Sequence, residues 1–309
     1  MKLISWNILA NEFITKSDYP MIKGKRLFNR NERLKNIMQL LLKANADVML
    51  LQEVMEKEFK ALMKLFASKY TIVRGKNINW YNKPSQSCNI ILLRKTHFKL
   101  LKTYDLEFGL YLVAGTSANE VGAAGTSSNT GTSANEVVII NVHLNDTSHL
   151  DRIKQITSIK EILYKSNKVI LGGDFNQVYN ARSTLYKMIS NAGLMPTIHD
   201  PTYYVEKKMC IDNLMLKGFQ LDNTCPIKKN NELNCCNNKT KNNKTKNNKT
   251  KTNKTKNNKT KNNKTKNNKT KNNKTTRNGS CVINKYKSQV ENQFNAYGSD
   301  HLLIIVNTL

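Results

Sequence analysis

The sequence lacks any stretch that approaches the roughly 18–20 consecutive apolar residues of a membrane-spanning helix. Its first residues, MKLISWNILANEF, carry Lys2, Asn7 and Asn11 where a secretory signal would be apolar. The six cysteines show no C-x-x-C spacing and no paired framework, so we expect neither disulfides nor a zinc site. These absences predict an unexported cytoplasmic protein, with a nuclear location as the alternative, and no stable membrane association.

Acidic side chains are scarce, because 22 Asp and Glu stand against 50 Lys and Arg, for a net charge of +28. Much of the excess lies in residues 237–276, an N-N-K-T-K repeat that holds 15 lysines, no acid and no apolar side chain. The other 269 residues still carry +13 and have an ordinary apolar content. They can therefore form a folded core, which excludes wholesale disorder, a collagen-like fibre and a coiled-coil rod.

Two low-complexity segments interrupt this folded part. Residues 115–136 contain GTSANEV twice with Gly, Ser, Thr and Asn between the copies, and residues 237–276 are the lysine tract. Neither can bury enough apolar surface to offset its ordering entropy, so both are predicted to be disordered loops of a single domain spanning residues 1–309. The lysine tract either tethers a polyanion such as RNA or DNA or is a neutral expansion of a permissive loop, and the sequence leaves both open.

Elsewhere, strand-like and helix-like patterns alternate. Short apolar runs predict strands at residues 2–8, 48–52, 89–93, 137–142, 168–171, 211–216 and 302–306. Clusters of strands interrupted by helices predict an α/β domain in which two packed sheets are covered by helices.

Two helices are predicted between these strands. Asn29, followed three residues later by Glu32, resembles a capping box that opens the first helix. A second helix is predicted over about residues 150–164. The side chains expected to face the core are Leu34, Ile37, Leu41 and Leu42 in the first helix and Ile153, Ile156 and Leu163 in the second.

Polar side chains stand at the ends of these apolar strands or inside them. They are four carboxylates, two imidazoles and two amides: Glu53, Asp174, Asp212, Asp300, His143, His301, Asn7 and Asn176. Each alone could be a cap or turn former, but a purely structural explanation does not account for all eight. Oxygen ligands without thiols favour Mg²⁺ or Mn²⁺, and carboxylates and imidazoles beside such an ion are typical of phosphoester hydrolysis.

Six motifs occur in the order SWNILA, LQEV, NVHL, GGDFN, an internal ID and GSDHL. Together they resemble the endonuclease/exonuclease/phosphatase superfamily over essentially the whole chain outside the two low-complexity segments. The resemblance implies a DNase I-like, four-layered α/β sandwich of two packed mixed β-sheets flanked by helices. It also implies an active site at the mouth between the sheets and a divalent ion, usually Mg²⁺, with Mn²⁺ as the alternative.

The same resemblance implies which residues hold the metal. Glu53 would be the main ligand, with Asn7 beside it and Asp300 close to the ion. Gln52 is expected to hold Glu53 by a hydrogen bond. Members that cleave abasic DNA often carry an acid where this chain has Leu9, so a single metal is expected.

The remaining matches imply the residues that act on the phosphate. Asp174 would activate water or transfer a proton, and Asn176 would orient Asp174 and contact the phosphate. His301, with Asp212 behind its ring, would stabilise the phosphate. His143 matches the phosphate-binding histidine of several branches, and the alternative is a histidine that only ends its strand.

The segment from residue 7 to residue 54 is similar to the deadenylase branch, which includes nocturnin and the Angel proteins. That branch shares NILA and a basic segment before the first helix. Here the segment includes Arg26, Arg30 and Arg33, and the predicted substrate contacts are Arg26, Arg30 and the aromatic ring of Tyr19. The alternative interpretation is a solvated basic loop.

These features predict an Mg²⁺-dependent 3′ exoribonuclease of the deadenylase type, whose partner is RNA rather than DNA. The same chemistry on another substrate is the first alternative: a DNA-repair endonuclease, a tyrosyl-DNA phosphodiesterase or a phosphoinositide phosphatase. The second alternative is a catalytically dead module that binds nucleic acid. The oligomeric state is left open.

Overall fold

The computed structural model describes residues 1–17, 19, 27–80, 83–116, 135–197, 201–203, 209–222 and 299–309. The predicted disorder of the lysine tract falls outside these residues, as does most of the 115–136 repeat. The ends of that repeat belong to strands, since Thr116 ends one strand and Glu136 begins the next. No helix in the described ranges combines the length and the apolar content needed to cross a membrane.

The described residues form eleven strands and five α-helices, with a 3₁₀ turn at Asn11–Phe13. The strands are β1 (Lys2–Asn7), β2 (Val48–Met55), β3 (Tyr70–Trp80), β4 (Lys83–Arg94), β5 (Phe98–Leu106), β6 (Gly109–Thr116), β7 (Glu136–His143), β8 (Val169–Asp174), β9 (Met195–Pro196), β10 (Asp212–Lys217) and β11 (Ile304–Asn307). The helices are α1 (Arg30–Ala44), α2 (Glu56–Phe66), α3 (His149–Ser158), α4 (Lys160–Lys165) and α5 (Thr184–Asn191).

Two mixed sheets pack face to face, with strand orders β11-β1-β2-β4-β3 and β5-β6-β7-β8-β10-β9. The pairs β1–β2 and β7–β8 are parallel, and the other neighbours are antiparallel. Helices α1 and α2 cover the outer face of the first sheet, and α3, α4 and α5 cover that of the second. The predicted four-layered sandwich is therefore confirmed. The core between the sheets includes Leu3, Leu50, Ile91, Leu112 and Ile139.

Helix α1 begins where the capping box predicted. The side chain of Asn29 accepts hydrogen bonds from the backbone N–H groups of Asn31 and Glu32, which satisfies two donors that a helix start leaves unpaired. Ile37 and Leu41 are buried, but Leu42 is 49% exposed, so its predicted inward position is wrong. Adjacent helical residues point about 100° apart, and the buried stripe runs through position 41.

The predicted helix over residues 150–164 is two helices, α3 and α4, separated at Ile159. The hydroxyl groups of Thr157 and Ser158 donate to the carbonyl oxygens of Ile153 and Gln155 and so compete with the regular helical pattern. Ile156 and Leu163 are buried as predicted, and Ile153 is half-buried.

The parallel pair at the centre of each sheet brings polar residues to one edge of the sandwich. Asn7, at the end of β1, pairs with Gln52 inside β2, and His143 pairs with Asp174 at the end of β7 and β8. Asp212 of β10 is also in register with Asp174. The two edges meet, because Asn7 Nδ2 lies 3.1 Å from Asp174 Oδ2.

Candidate active site

Glu53 reaches this edge from a bulge in β2. It has a φ of 59°, in the left-handed region that residues with a Cβ seldom adopt. Its two carboxylate oxygens accept hydrogen bonds from Asn7 Nδ2 (2.7 Å) and from the backbone N–H of Ala10 (2.7 Å). Burial raises the pKa of Glu53, and the negative charge of Asp300 adds to this rise, while His143 opposes it.

Asn7 turns its amide nitrogen toward the carboxylates of Glu53 and Asp174, because its oxygen accepts the backbone N–H of Leu9 (3.0 Å). The side chain thus bridges two carboxylates, one from each sheet. Its place beside the metal stays a prediction.

The prediction for Gln52 is wrong. Its Nε2 donates to Asn141 Oδ1 at 2.7 Å and points between the sheets, and its hydrogen bonds do not include Glu53. Glu53 is instead held by Asn7 and by the loop after β1. The buried guanidinium of Arg33 donates to the carbonyl oxygens of Ile8 and Leu9 in this loop.

Arg33 was predicted as part of a basic segment that meets the substrate, and it lies in the interior instead. Burial lowers its pKa to about 10, with partial opposition from nearby acids, so the guanidinium is still charged near pH 7. Arg30 pairs with Glu58 at 2.7 Å and does not line the cavity that holds Glu53. Arg26 lies outside the described residues.

Asp174 is buried at the end of β8 and is held on both sides. Oδ1 accepts the backbone N–H of Asn176 (2.8 Å), and Oδ2 accepts Asn7 Nδ2 (3.1 Å). Asn176 has a φ of 47°, which turns its N–H back toward Asp174, and its side-chain amide donates to Leu144 O (2.9 Å). Burial and the negative charge of Asp212 raise the pKa of Asp174 to about 7.

His301 and Asp212 form a buried pair. His301 Nδ1 lies 3.0 and 2.8 Å from the two oxygens of Asp212, which leaves Nε2 to face Asp174 Oδ2 (3.7 Å) and Asp300 Oδ1 (3.8 Å). Burial alone would lower the pKa of His301, but Asp212, Asp300 and Asp174 outweigh it and raise that pKa well above its usual value. The imidazole is therefore protonated near pH 7.

Ser299 and Trp6 hold this pair in place. Ser299 Oγ donates to Asn7 O (2.7 Å) and accepts the N–H of His301 (3.1 Å), and Trp6 Nε1 donates to His301 O (3.1 Å). These roles of Ser299 and Trp6 were not predicted, although the two residues lie inside the motifs GSDHL and SWNILA. The ring of Tyr203 packs against that of His301 at 5.0 Å, and no motif marked Tyr203.

His143 is the second histidine of the site. Its Nε2 lies 3.6 Å from Asp174 Oδ2 and 3.9 Å from Glu53 Oε1, and the side chain is buried. Burial lowers the pKa of His143, with partial opposition from Glu53, so the imidazole is neutral near pH 7. The two histidines of the site thus carry different charges.

Tyr19 and Asp300 form a hydrogen-bonded pair that also lines the cavity. The hydroxyl of Tyr19 donates to Asp300 Oδ2 at 3.0 Å, and its buried ring packs with Leu9 and Leu27. Burial and the charge of Asp300 raise the pKa of Tyr19, so the hydroxyl stays protonated and remains a donor. Tyr19 lines the cavity, as a substrate-contacting residue must, and its hydroxyl also orients Asp300.

These side chains line one cavity of about 580 Å³. Its lining includes five carboxylates, from Glu12, Glu53, Asp146, Asp174 and Asp300, and no Lys or Arg among the described residues. The rest of the lining includes apolar and aromatic side chains, among them Phe13, Tyr203, Met209 and Ile211. An anionic phosphate could enter so acidic a cavity only if a cation balanced the charge.

The donor set fits a divalent cation with oxygen ligands. Asp174, Asp212 and His301 place one potential ligand atom each within 4.8 Å of one another. A protonated imidazole does not bind a metal, however, and Nδ1 of His301 is engaged by Asp212. Glu53 and Asp300 are the better candidates, because both carboxylates are buried and their mutual repulsion would be relieved by an ion.

Residues 4–192 match the model of the Endonuclease/Exonuclease/phosphatase family. The matched range includes Asn7, Glu53, His143, Asp174 and Asn176. No curated protein matches the sequence.

Several solved structures share the fold at low identity. ANGEL2, described as a 2′,3′-cyclic phosphatase, aligns with a TM-score of 0.57 and 16% identity over 71% of this chain and 84% of that chain. The human Nocturnin catalytic domain with bound sulfate gives 0.51 and 15% over 72% and 84%. The mannosyl-6-phosphatase Bt3783 of Bacteroides thetaiotaomicron gives 0.51 and 15% over 70% and 85%. At these identities the likeness shows the fold alone.

Proposed function

Because the chain belongs to the endonuclease/exonuclease/phosphatase family of phosphoester hydrolases, we propose that it is an Mg²⁺-dependent 3′ exoribonuclease of the deadenylase type. The observation that carries the proposal is the position of Asp174. Its carboxylate lies within 4 Å of Asn7, His143 and His301 at the mouth between the sheets. A base, a cationic imidazole and a set of oxygen ligands thus share one cavity.

Asp174 is the group that takes a proton from the attacking water. A base works best when its pKa lies near the working pH, and burial raises the pKa of Asp174 to about 7. Asn176 N–H and Asn7 Nδ2 hold one oxygen each, so the carboxylate keeps its orientation when the water arrives. Such orientation contributes to the rate because less freedom is lost in the transition state.

His301 stabilises the charge that develops on the phosphate oxygens. With Nδ1 bonded to Asp212, its Nε2–H is the free donor of the imidazolium and points into the cavity. His143 is neutral and can donate to a phosphate oxygen without adding charge. A fixed donor in a site closed to water stabilises an oxyanion more strongly than water does.

Glu53 and Asp300 would hold the Mg²⁺, which supplies Lewis-acid charge neutralisation to the phosphate when bound. Tyr19 fixes one oxygen of Asp300, and Asn7 and Ala10 fix the oxygens of Glu53. Mn²⁺ takes the same oxygen ligands and is the alternative ion.

The residues that line the cavity favour a nucleotide over a phosphoinositide as the substrate. A base can stack on Tyr203 or Phe13, whereas an inositol polyphosphate needs several basic side chains, and the described lining has none. One solved relative, ANGEL2, is described in complex with adenosine-2′,3′-vanadate (TM-score 0.53, 15% identity), which supports an RNA 3′ end at this site. The same relative makes a terminal 2′,3′-cyclic phosphate the second candidate substrate.

A substrate panel tests the proposal. It contains 5′-labelled RNA ending in an A-run, the same RNA without the run, RNA ending in a 2′,3′-cyclic phosphate, abasic duplex DNA, 5′-phosphotyrosyl DNA and a soluble phosphoinositide, each with Mg²⁺ or EDTA. The Asp174→Ala variant should lose several orders of magnitude in turnover and keep its circular dichroism spectrum. Asp105→Ala, which removes an exposed acid of β5, is the control.

Stepwise shortening of the A-tailed RNA that needs Mg²⁺ and Asp174 is the expected result. Cleavage of another substrate alone would keep the chemistry and change the assigned substrate. Full activity of Asp174→Ala would refute the site, and tight RNA binding without any turnover would favour a binding module.

A further inference from the structure

The bulge in β2 decides where Glu53 points. Leu51 pairs with Ile90 and Val54 pairs with Cys88, so two residues of β2, Gln52 and Glu53, stand opposite one residue of β4. In a regular strand, side chains alternate between the two faces of the sheet. Glu53 would then lie beside Leu51 and Met49, which pack under α1 and α2, instead of at the cavity.

The bulge is stabilised from the other sheet by Asn141 of β7. Its Nδ2 donates to Leu51 O and Ile90 O, both at 2.9 Å, and these two residues form the pair that borders the register shift on one side. Its Oδ1 accepts Gln52 Nε2 at 2.7 Å. One side chain therefore binds both strands at the shift and the residue directly before Glu53.

The position of Asn141 in β7 shows which face of the sheet its side chain belongs to. It is two residues before His143 and thus on the same face of β7, which is the face toward the first sheet. It is fully buried on the face of β7 that also carries Val137 and Ile139. A buried amide is costly unless its polar atoms are hydrogen-bonded, so the bonds of Asn141 to Leu51, Ile90 and Gln52 account for its presence here.

We propose that Asn141 is a positioning residue that holds Glu53 in its left-handed conformation and so aligns the metal-binding carboxylate with His143 and Asp174. The role of Glu53 as a ligand rests on the proposed function, but the link between Asn141 and the Glu53 backbone does not. Asn141 contacts neither substrate nor metal. It acts through Leu51, Ile90 and Gln52.

The test compares Asn141→Ala with Ile139→Ala, which removes a buried side chain from the same strand and the same face without touching the bulge. The first measurement is a crystal structure of each variant, read for φ of Glu53 and for the Asn7 Nδ2–Glu53 Oε1 distance. The second is Mn²⁺ affinity from the electron paramagnetic resonance signal of the free ion. Urea unfolding shows how much stability each variant loses. Asn141→Ser, which keeps one hydroxyl donor, replaces Asn141→Ala if that variant does not fold.

In Asn141→Ala we expect Glu53 to leave the left-handed region, its bond to Asn7 to break, and Mn²⁺ affinity to fall about 10–100-fold, as for other groups that support a metal ligand. Ile139→Ala should keep the Glu53 backbone, and its Mn²⁺ affinity should stay within about twofold of the wild type. An unchanged Glu53 in Asn141→Ala, or equal loss of affinity in both variants, would overturn the proposal. If the wild type binds no Mn²⁺, the proposed function is refuted. The φ of Glu53 in the crystal structure of Asn141→Ala then still tests whether Asn141 positions Glu53.

Discussion

Replacing Asp212 by asparagine isolates the charge behind His301. Both side chains are almost fully buried, and Asp212 accepts the Nδ1–H of His301 through oxygens at 3.0 and 2.8 Å. Asparagine keeps one oxygen as the acceptor, so the imidazole can keep its tautomer and orientation. What Asp212→Asn removes is the negative charge.

The size of the effect follows from the distances. Two unit charges about 4 Å apart in a medium of effective dielectric constant near 20 attract by about 4 kcal/mol, or about 3 pKa units. The carboxylates of Asp174 and Asp300 remain at 3.7 and 3.8 Å from Nε2. We therefore expect the pKa of His301 to fall by about 1–3 units in Asp212→Asn.

The direction of the pH effect is fixed by which form is active. Under the proposed function the protonated imidazole is the form that stabilises the phosphate, and the raised pKa of His301 keeps it protonated toward alkaline pH. In Asp212→Asn the alkaline limb of the kcat/KM profile should therefore move to lower pH by about the same 1–3 units. The profile is measured with labelled RNA at saturating Mg²⁺, and the pKa of His301 is read directly from its ¹⁵N ring signals.

Asp146→Asn is the matched control, because it removes a carboxylate that lines the cavity with His301, whereas the acids that raise the pKa of His301 are Asp212, Asp300 and Asp174. It should leave the alkaline limb in place. If Asp212→Asn also left both the limb and the ¹⁵N titration of His301 unchanged, the assignment of His301 as the cationic group would be refuted.

Two further predictions concern the chain around the site. Deleting residues 237–276 should leave kcat unchanged and, if the lysines tether RNA, raise KM most at low salt, so a KM that is insensitive at every salt would support a neutral insert. Gly173→Ala should lower stability by at least about 1–3 kcal/mol in urea unfolding, because its Cβ would lie 1.9 Å from Val142 O. Gly115→Ala is the control, since its Cβ would meet nothing closer than 3.7 Å, and equal midpoints for the two variants would contradict the steric argument.

Strands were predicted where a short apolar run occurs in the sequence. β2, β7, β8 and β10 follow this pattern, because they are buried on both faces at the centre of their sheets. β5 was missed because it is an edge strand whose side chains are mostly exposed, so it has no apolar pattern to find. β3 and β6 were missed as well, together with the helices α2 and α5.

For the site, the residue types could be predicted and their orientations could not. The chain order of the motifs identified Glu53, Asp174 and His301. The side chain that holds Glu53 was misassigned to Gln52, because a bulge formed without glycine leaves no mark in the sequence. The bond from Tyr19 to Asp300 joins residues 281 positions apart, and no local pattern encodes such a pairing.

The pairing of β1 with β11 has a consequence for how the protein is made. Ser299 and Asn7, which clamp the two ends of the site together, are 292 positions apart. At about 5–20 residues per second, a ribosome needs roughly 15–60 s to travel between them. During that time the growing chain already contains Glu53, His143 and Asp174, while one edge of β1 still lacks its partner β11. The candidate site is therefore complete only after residues 299–301 have been synthesised, because a shorter chain lacks both His301 and the bond from Ser299 to Asn7.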